Sequence, residues 1–250
     1  MTEDAIEQTA RLLDRADEVL VFAGSGFSAE SGVPTFRGED GLFSDEKIAE
    51  LAYAGTLERD PERALSWYEK GRNRIRQLEP NPGHYALTRL SQTGEFTVAT
   101  QNVDGLLERA ARREGVELEI HYIHGSLFRV RCHDCGRLVD RDVDLSTVPE
   151  CGECGGFLRP DIVLFGEMLP REAFDASAEA AERADVCLLL GTSGIVYPAA
   201  GLPRETRRSG GKLVEINTEE TELSEICDVT IRGKTGEFLP RIEEALESLR

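Results

Sequence analysis

Lysine is scarce in this chain. Lys47, Lys70, Lys212 and Lys234 are the only four, and the other 25 of the 29 basic residues are arginine. Beneath a formal charge of −18, that scarcity reads as the surface of a halophilic prokaryote's protein, where salt screens the self-repulsion of so many carboxylates. The same acidity, with no Lys/Arg-rich run, excludes a general nucleic-acid or membrane-surface binder, since both need basic patches. No apolar run approaches the ~20 residues of a membrane span. Residues 1–15 are acidic where a secretory signal would be basic and apolar, so the expected location is cytoplasmic. Internal repeats and low-complexity segments are also missing.

What is present suffices for one large domain with an inserted lobe, or for two small domains: 250 residues, 40% of them apolar. Apolar β-forming runs at 18–23, 96–100, 118–121, 186–190, 212–216 and 229–231 alternate with helical patterns at 2–16, 45–78, 82–94, 104–113, 172–183, 199–208 and 238–249. Asp60-Pro61 and Asn81-Pro82 read as helix starts, a capping residue followed by proline at the first helical position. Alternation of this kind predicts an α/β fold with a doubly wound, mostly parallel Rossmann-like sheet. The expected division gives 1–38, 82–126 and 160–250 to that domain, 39–81 to a helical insert and 127–159 to a zinc-binding module.

Six cysteines in a cytoplasmic chain point to metal or catalysis before disulfides. Cys132-x-x-Cys135 and Cys151-x-x-Cys154, fifteen residues apart, have zinc-ribbon spacing. Each pair closes a small loop, and four thiolates leave no position open for water, so the zinc is expected to be structural. Cys187 and Cys227 sit in apolar runs and read as packing residues.

Gly24-Ser25-Gly26-Phe27-Ser28-Ala29 follows the first strand and fits the loose dinucleotide fingerprint, in which backbone amides meet a pyrophosphate. A dehydrogenase would run on into a helix, a second strand and an acidic ribose-binding residue; here Pro34 stops the helix, which counts against hydride transfer. Gln101-Asn102-Val103-Asp104-Gly105 ends the second strand, where ligands of open α/β sheets bind. Asn102 suits an amide or a ribose hydroxyl, while Asp104 reads equally as the cap of the next helix. His124 is either a general base or a structural histidine; His84 and His121 take the structural reading. Gly191-Thr192-Ser193 and Asn217 stand at two further strand ends.

Taken together, these residues resemble the sirtuin family. The resemblance runs through residues 24–37, 100–105, His124-Gly125, the four cysteines, residues 159–167, Gly191-Thr192-Ser193 and Ile216-Asn217, in the family's order. It implies NAD-dependent removal of an acyl group, acetyl first of all, from protein lysine, yielding nicotinamide and O-acyl-ADP-ribose. His124 would be the base on a ribose hydroxyl, and Asn102 and Asp104 would line the nicotinamide and ribose pocket. Gly24, Ser25, Gly26, Ser28, Pro34, Arg37, Gln101, Val103, Gly191, Thr192, Ser193, Asn217 and Thr235 would contact the rest of NAD. Phe36 would cover the reactive face. Val163, Phe165, Gly166 and Glu167 would pair with the substrate backbone. Members that prefer succinyl or malonyl groups carry Tyr-x-x-Arg in the helical lobe; here Tyr68 is followed by Gly71 at that spacing and Arg72 one residue later. Desuccinylase or demalonylase activity and mono-ADP-ribosyl transfer are the alternatives. Leu107 stands where the family commonly has His, Ser25 where it has Ala, and Phe27 where it has Ile.

Overall fold

Helix α1 (Thr2–Arg15) buries Ile6, Ala10 and Leu13, which recur on one face. Strand β1 (Glu18–Ala23) is buried from Val19 onward, as a strand covered on both faces must be. Helices α2 (Glu46–Ala49), α3 (Ala54–Arg59), α4 (Pro61–Arg76) and α5 (Pro82–Leu90) follow. Three starts carry side-chain caps: Asp45 accepts from Lys47 N–H, Asp60 from Arg63 N–H, and Asn81 from Gly83 and His84 N–H. Strand β2 (Glu95–Thr100), helix α6 (Leu106–Glu114) and strand β3 (Glu119–Tyr122) come next. Strands β4 (Gly125–Cys132), β5 (Leu138–Val139) and β6 (Leu158–Ile162) make a separate antiparallel sheet in the order β5-β4-β6. The chain then returns through α7 (Arg171–Arg183), β7 (Val186–Leu190), α8 (Leu202–Arg208), β8 (Lys212–Asn217), β9 (Val229–Arg232) and α9 (Thr235–Glu247). This computed structural model describes residues 2–36 and 41–250.

The main sheet has the order β3-β2-β1-β7-β8-β9, and every pairing is parallel. From β1 the chain steps outward one way to β3, and from β7 the other way to β9. The strand order reverses between β1 and β7, which is where open α/β sheets form a crevice beyond their carboxyl ends. Helices α1, α5 and α9 pack on one face through Ile6, Leu87 and Leu239; α7 and α8 pack on the other through Ala181 and Leu202. A second apolar cluster joins α3 and α4 to the antiparallel sheet, with Leu57, Leu65, Val130 and Leu158 at its centre. No helix among the described residues is long and apolar enough to cross a membrane.

The six parallel strands lie within a residue or so of their expected positions. The segment expected as helix over 199–208 begins as a 3-10 turn (Ala199–Gly201) before α8. The β4–β6 pairing has no counterpart in the sequence reading. Pro160 argues against a strand there, but β6 is an edge and the register shifts between Ser126 and Val130, so proline is tolerated.

Candidate active site and metal centre

The loops that follow β1 and β7 cross at the switch point. Gly24 N–H donates to Leu190 O (2.9 Å) and Gly26 N–H to Gly191 O (2.9 Å). A Cβ on Gly26 would lie 2.8 Å from Gly191 Cα, and one on Gly191, itself at φ 55°, 2.4 Å from Gly26 C. Glycine is required here because backbone packs on backbone. The amides of Gly24 and Gly26, expected as phosphate donors, are here bonded within the crossing. The amides of Phe27 and Ser28 are likewise turned inward, to Gly24 O and Ser25 O. Half-buried Ser25 keeps a hydroxyl with no partner among the described residues.

A connected set of polar groups surrounds this crossing. Gln101 N–H donates to Ala23 O (2.9 Å), and its side-chain amide donates to Thr192 Oγ1 (2.8 Å). Gln101 O lies 3.2 Å from His124 Nδ1. A carbonyl only accepts, so Nδ1 carries the proton and Nε2 is left with its lone pair. Burial lowers the His124 pKa, and the Gln101 contact opposes that in part. The imidazole is therefore neutral around pH 7, with its basic nitrogen lacking a partner among the described residues. Asn102 Nδ2 donates to Gly24 O (3.0 Å) and Ser28 Oγ (3.3 Å), which leaves its Oδ1 as an acceptor without a partner among the described residues.

His84, read from sequence as structural, sits beneath these groups. Its Nδ1 accepts from Asn81 N–H (3.1 Å), so the proton is on Nε2, 3.3 Å from Ser28 Oγ. Burial pushes its pKa down to about 3. Ser28 Oγ thus accepts from His84 and Asn102, and its own proton is directed at Asp104. Asp104 is buried, which raises its pKa; bonds from Leu106 N–H and Ser28 oppose this. Asp104 Oδ1 accepts from Leu106 N–H (2.9 Å) at the first turn of α6, and the carboxyl also lines the polar cluster. Only the capping box Asn81…His84 could have flagged His84, and that signal reads as local structure.

On the far side of the crossing, Asn217 Nδ2 donates to Thr192 O (2.9 Å), which joins the ends of β8 and β7. Ser193 is half-buried with its hydroxyl unpartnered among the described residues. Val103 O accepts from Leu127 N–H (3.0 Å) and so faces the second sheet. Thr235, at the start of α9, is 2% exposed with no partner for Oγ1. Its neighbour Gly236 donates to Glu30, on the loop after β1. Pro34 and Phe36 are half-buried, and the Phe36 ring meets that of Phe43 at a tilt, with centroids 5.3 Å apart. Arg37 and Gly38 lie outside the described residues.

The strip after β6 is paired on one side already. Phe165 N–H donates to Ala52 O (2.8 Å), and Phe165 O accepts from Ala54 N–H (3.2 Å). Val163 N–H donates to His124 O (3.0 Å). Among the described residues Val163 O, Leu164 N–H, both backbone groups of Gly166 and Glu167 O have no backbone partner, and of these Leu164 N–H is taken by the Glu167 carboxylate. The expectation that residues 163–167 as a whole pair with substrate is narrowed to that open edge. Glu167 is turned inward to Arg159. Burial raises its pKa, and the Arg159 bonds and charge override this, so the net shift is downward.

Tyr68 and Arg72, expected to touch the acyl group, do not face a groove. Tyr68 donates to Leu51 O (2.7 Å) and is 5% exposed. Arg72 is 0% exposed, and its guanidinium donates to Glu69 (2.7 Å), Val143 O (2.9 Å) and Asp142 (2.8 Å). It ties α4 to the cysteine module, and its Nε–H is buried with no partner among the described residues.

The four cysteine sulfurs lie within 4.8 Å of one another. Cys132 and Cys154 are 3.5 Å apart, and Cys135 and Cys151 3.9 Å. A disulfide needs ~2.05 Å, whereas sulfurs at ~2.3 Å from a tetrahedral zinc stand about 3.8 Å apart. The geometry fits zinc. His133 stacks on Phe157 (4.5 Å) and stays outside the tetrad. Cys187 is fully buried and Cys227 half-buried, as expected of packing residues; burial raises both thiols.

A doubly wound sheet with a polar crevice at its switch point, and a cysteine-held antiparallel module beside it, defines a dinucleotide-type α/β protein with a zinc ribbon. Residues 24–198 match the model of the Sir2 family. The chain is 48% identical over 244 residues to NAD-dependent protein deacylase 2 of Pyrobaculum aerophilum, covering 96% of each chain. It is 45% identical to the NAD-dependent protein deacylase of Thermococcus kodakarensis, over 93% of this chain and 92% of that one. Among solved structures, a Sir2 homolog–NAD complex superposes with a TM-score of 0.88 at 37% identity, covering 98% and 95% of the two chains. Sir2Af2 bound to a myristoylated histone peptide gives 0.79 at 33%, covering 99% and 98%. The chain belongs to the Sir2 family.

Proposed function

We propose that this protein is an NAD-dependent protein-lysine deacylase, acting first of all on acetyl-lysine, that moves the acyl group onto ADP-ribose and releases nicotinamide. The observation that carries the reading is His124, whose Nδ1 is held by Gln101 O while Nε2 has no partner among the described residues; Gln101 precedes Asn102 and bonds Thr192, next to the Gly26–Gly191 crossing. Residues 1–38, 82–126 and 160–250 would act as the nucleotide-binding domain, 39–81 as a helical insert and 127–159 as the zinc module.

Four groups without a partner among the described residues, Asn102 Oδ1 and the hydroxyls of Ser25, Ser193 and Thr235, suit NAD, together with the linked side chains of Thr192 and Asn217. Asn102 Oδ1 faces the nicotinamide and ribose end, with Asp104 and Ser28 behind it. The hydroxyls of Ser25 and Ser193 serve the phosphates, and Thr192, Asn217 and Thr235 the adenosine half. NAD supplies an activated ribose carbon, with nicotinamide as leaving group. His124 Nε2 takes the proton from a ribose hydroxyl, and Gln101 O steadies the cation that this creates on the ring. Phe36 covers the crevice and keeps water from competing with the acyl oxygen. The open edge formed by Val163 O and Gly166 receives the backbone of the acylated protein segment. Zinc stays structural, with four thiolates closing its coordination. Because Arg72 is buried against Glu69 and Asp142, its charge is not offered to a succinyl or malonyl carboxylate.

The test is nicotinamide release from NAD with an acetyl-lysine peptide in high salt. His124→Ala should lower kcat by about 10²–10⁴; unchanged turnover would overturn the assignment. Protein-bound label from adenine-labelled NAD would instead mark ADP-ribosyl transfer.

A further inference from the structure

The open edge of the substrate strip is short and lies next to a tight turn, so something must hold its shape. Gly166 sits at φ 97°, and Glu167 N–H donates back to Leu164 O (2.9 Å). Directly beneath is Arg159, 1% exposed although its guanidinium is charged. Its Nη2 donates to Ile162 O (2.8 Å) and to Glu167 Oε2 (3.1 Å), and its Nη1 to Glu167 Oε1. Glu167 Oε2 also accepts from Leu164 N–H (2.8 Å). One guanidinium and one carboxylate therefore grip the strip at Ile162, Leu164 and Glu167, on both sides of the free groups of Val163 and Gly166.

We propose that Arg159 and Glu167 are a paired positioning device for acyl-peptide binding: the buried fork and carboxylate hold residues 162–167 so that Val163 O and Gly166 stay aligned for a peptide backbone. The proposal rests on the deacylase reading above and deepens it. Neither residue touches the reacting atoms. Their effect runs through the alignment of the edge, and a bidentate guanidinium–carboxylate pair fixes angle as well as distance. Lysine keeps the charge but offers a single point contact, so Arg159→Lys loosens the strip without removing the pairing charge. Glu167→Gln keeps the size and one acceptor, and loses the second charge-assisted contact.

The measurement is steady-state deacylation by the full-length, zinc-loaded protein with an acetyl-lysine peptide. It is run alongside fluorescence anisotropy of the same labelled peptide on the wild type and both variants. Arg159→Lys and Glu167→Gln are each expected to raise the peptide KM and Kd about tenfold. The KM for NAD and the zinc content should stay within twofold of wild type. Should either variant not fold, Glu167→Asp decides, because it keeps a carboxylate for buried Arg159 and shortens its reach to Leu164 N–H. Variants that bind peptide as tightly as wild type, or that lose kcat at unchanged peptide KM, overturn the proposal. A wild type that neither binds nor turns over the peptide with NAD overturns the deacylase reading instead.

Discussion

His124 and His84 show how one residue type is set to different tasks by what it faces. His124 must be neutral to act as base, and burial depresses its pKa below the usual value near 6.5. Deacylation should therefore hold as pH falls to 6.5 and be lost only below it. A pH profile of kcat/KM whose acidic limb stood above 6.5 would contradict this. His84 lies deeper, at about 3. Its folded pKa is depressed, so the unfolded chain binds the proton first. The stability tied to neutral His84 is present above pH 6.5 and lost as pH falls from there toward 3. Urea unfolding between pH 7 and 5 should show that loss, up to about 1.4 kcal/mol per pH unit from this residue. In His84→Gln, an amide that accepts from Asn81 N–H and donates to Ser28, the slope should flatten by up to one proton.

At the scale of elements, the link between α4 and the cysteine module is the informative one. Arg72→Ala takes from buried Glu69 its shorter ionic partner and leaves it Arg76 (3.4 Å) and Leu145 N–H (3.1 Å). The expected cost is about 3–5 kcal/mol, read as a fall in melting temperature. The ratio of acetyl to succinyl turnover should not change, because Arg72 faces no substrate; a selective loss of desuccinylation would restore its acyl-binding role. Strand β4 starts at Gly125, immediately after His124, and ends on the metal ligand Cys132. At Gly125 the backbone is at φ 77°, and an added Cβ would come within 2.0 Å of Asp161 O. Gly125→Ala should therefore break the β4–β6 pairing and cost both activity and thermal stability. Gly115, at φ 69° with nothing within 4 Å, is the control, and Gly115→Ala should do far less.

The whole molecule carries −18 with few lysines. Its many arginine–carboxylate contacts, such as Arg112–Glu108 and Arg171–Asp175, are exposed and contribute little each. Self-repulsion among the acidic groups should dominate when salt is removed. Melting temperature is expected to rise steadily from low to molar salt, and a flat response would remove the high-salt reading.

Local signals in the sequence determined the parallel strands, the capped helix starts at Asp60 and Asn81, and the zinc tetrad. Apolar period, proline placement and cysteine spacing each act within a few residues, so one chain segment is enough to read them. Tertiary structure alone decided that Gly26 packs backbone to backbone on Gly191. It also decided that His84 supports Ser28, and that Leu107, an unusual residue for the family, is simply core. The same holds for Arg72, which faces Asp142 and not a groove, and for Pro160, which proved compatible with an edge strand. Each of these depends on which surface a side chain or backbone meets across the fold, and that is fixed by packing between segments far apart in the chain.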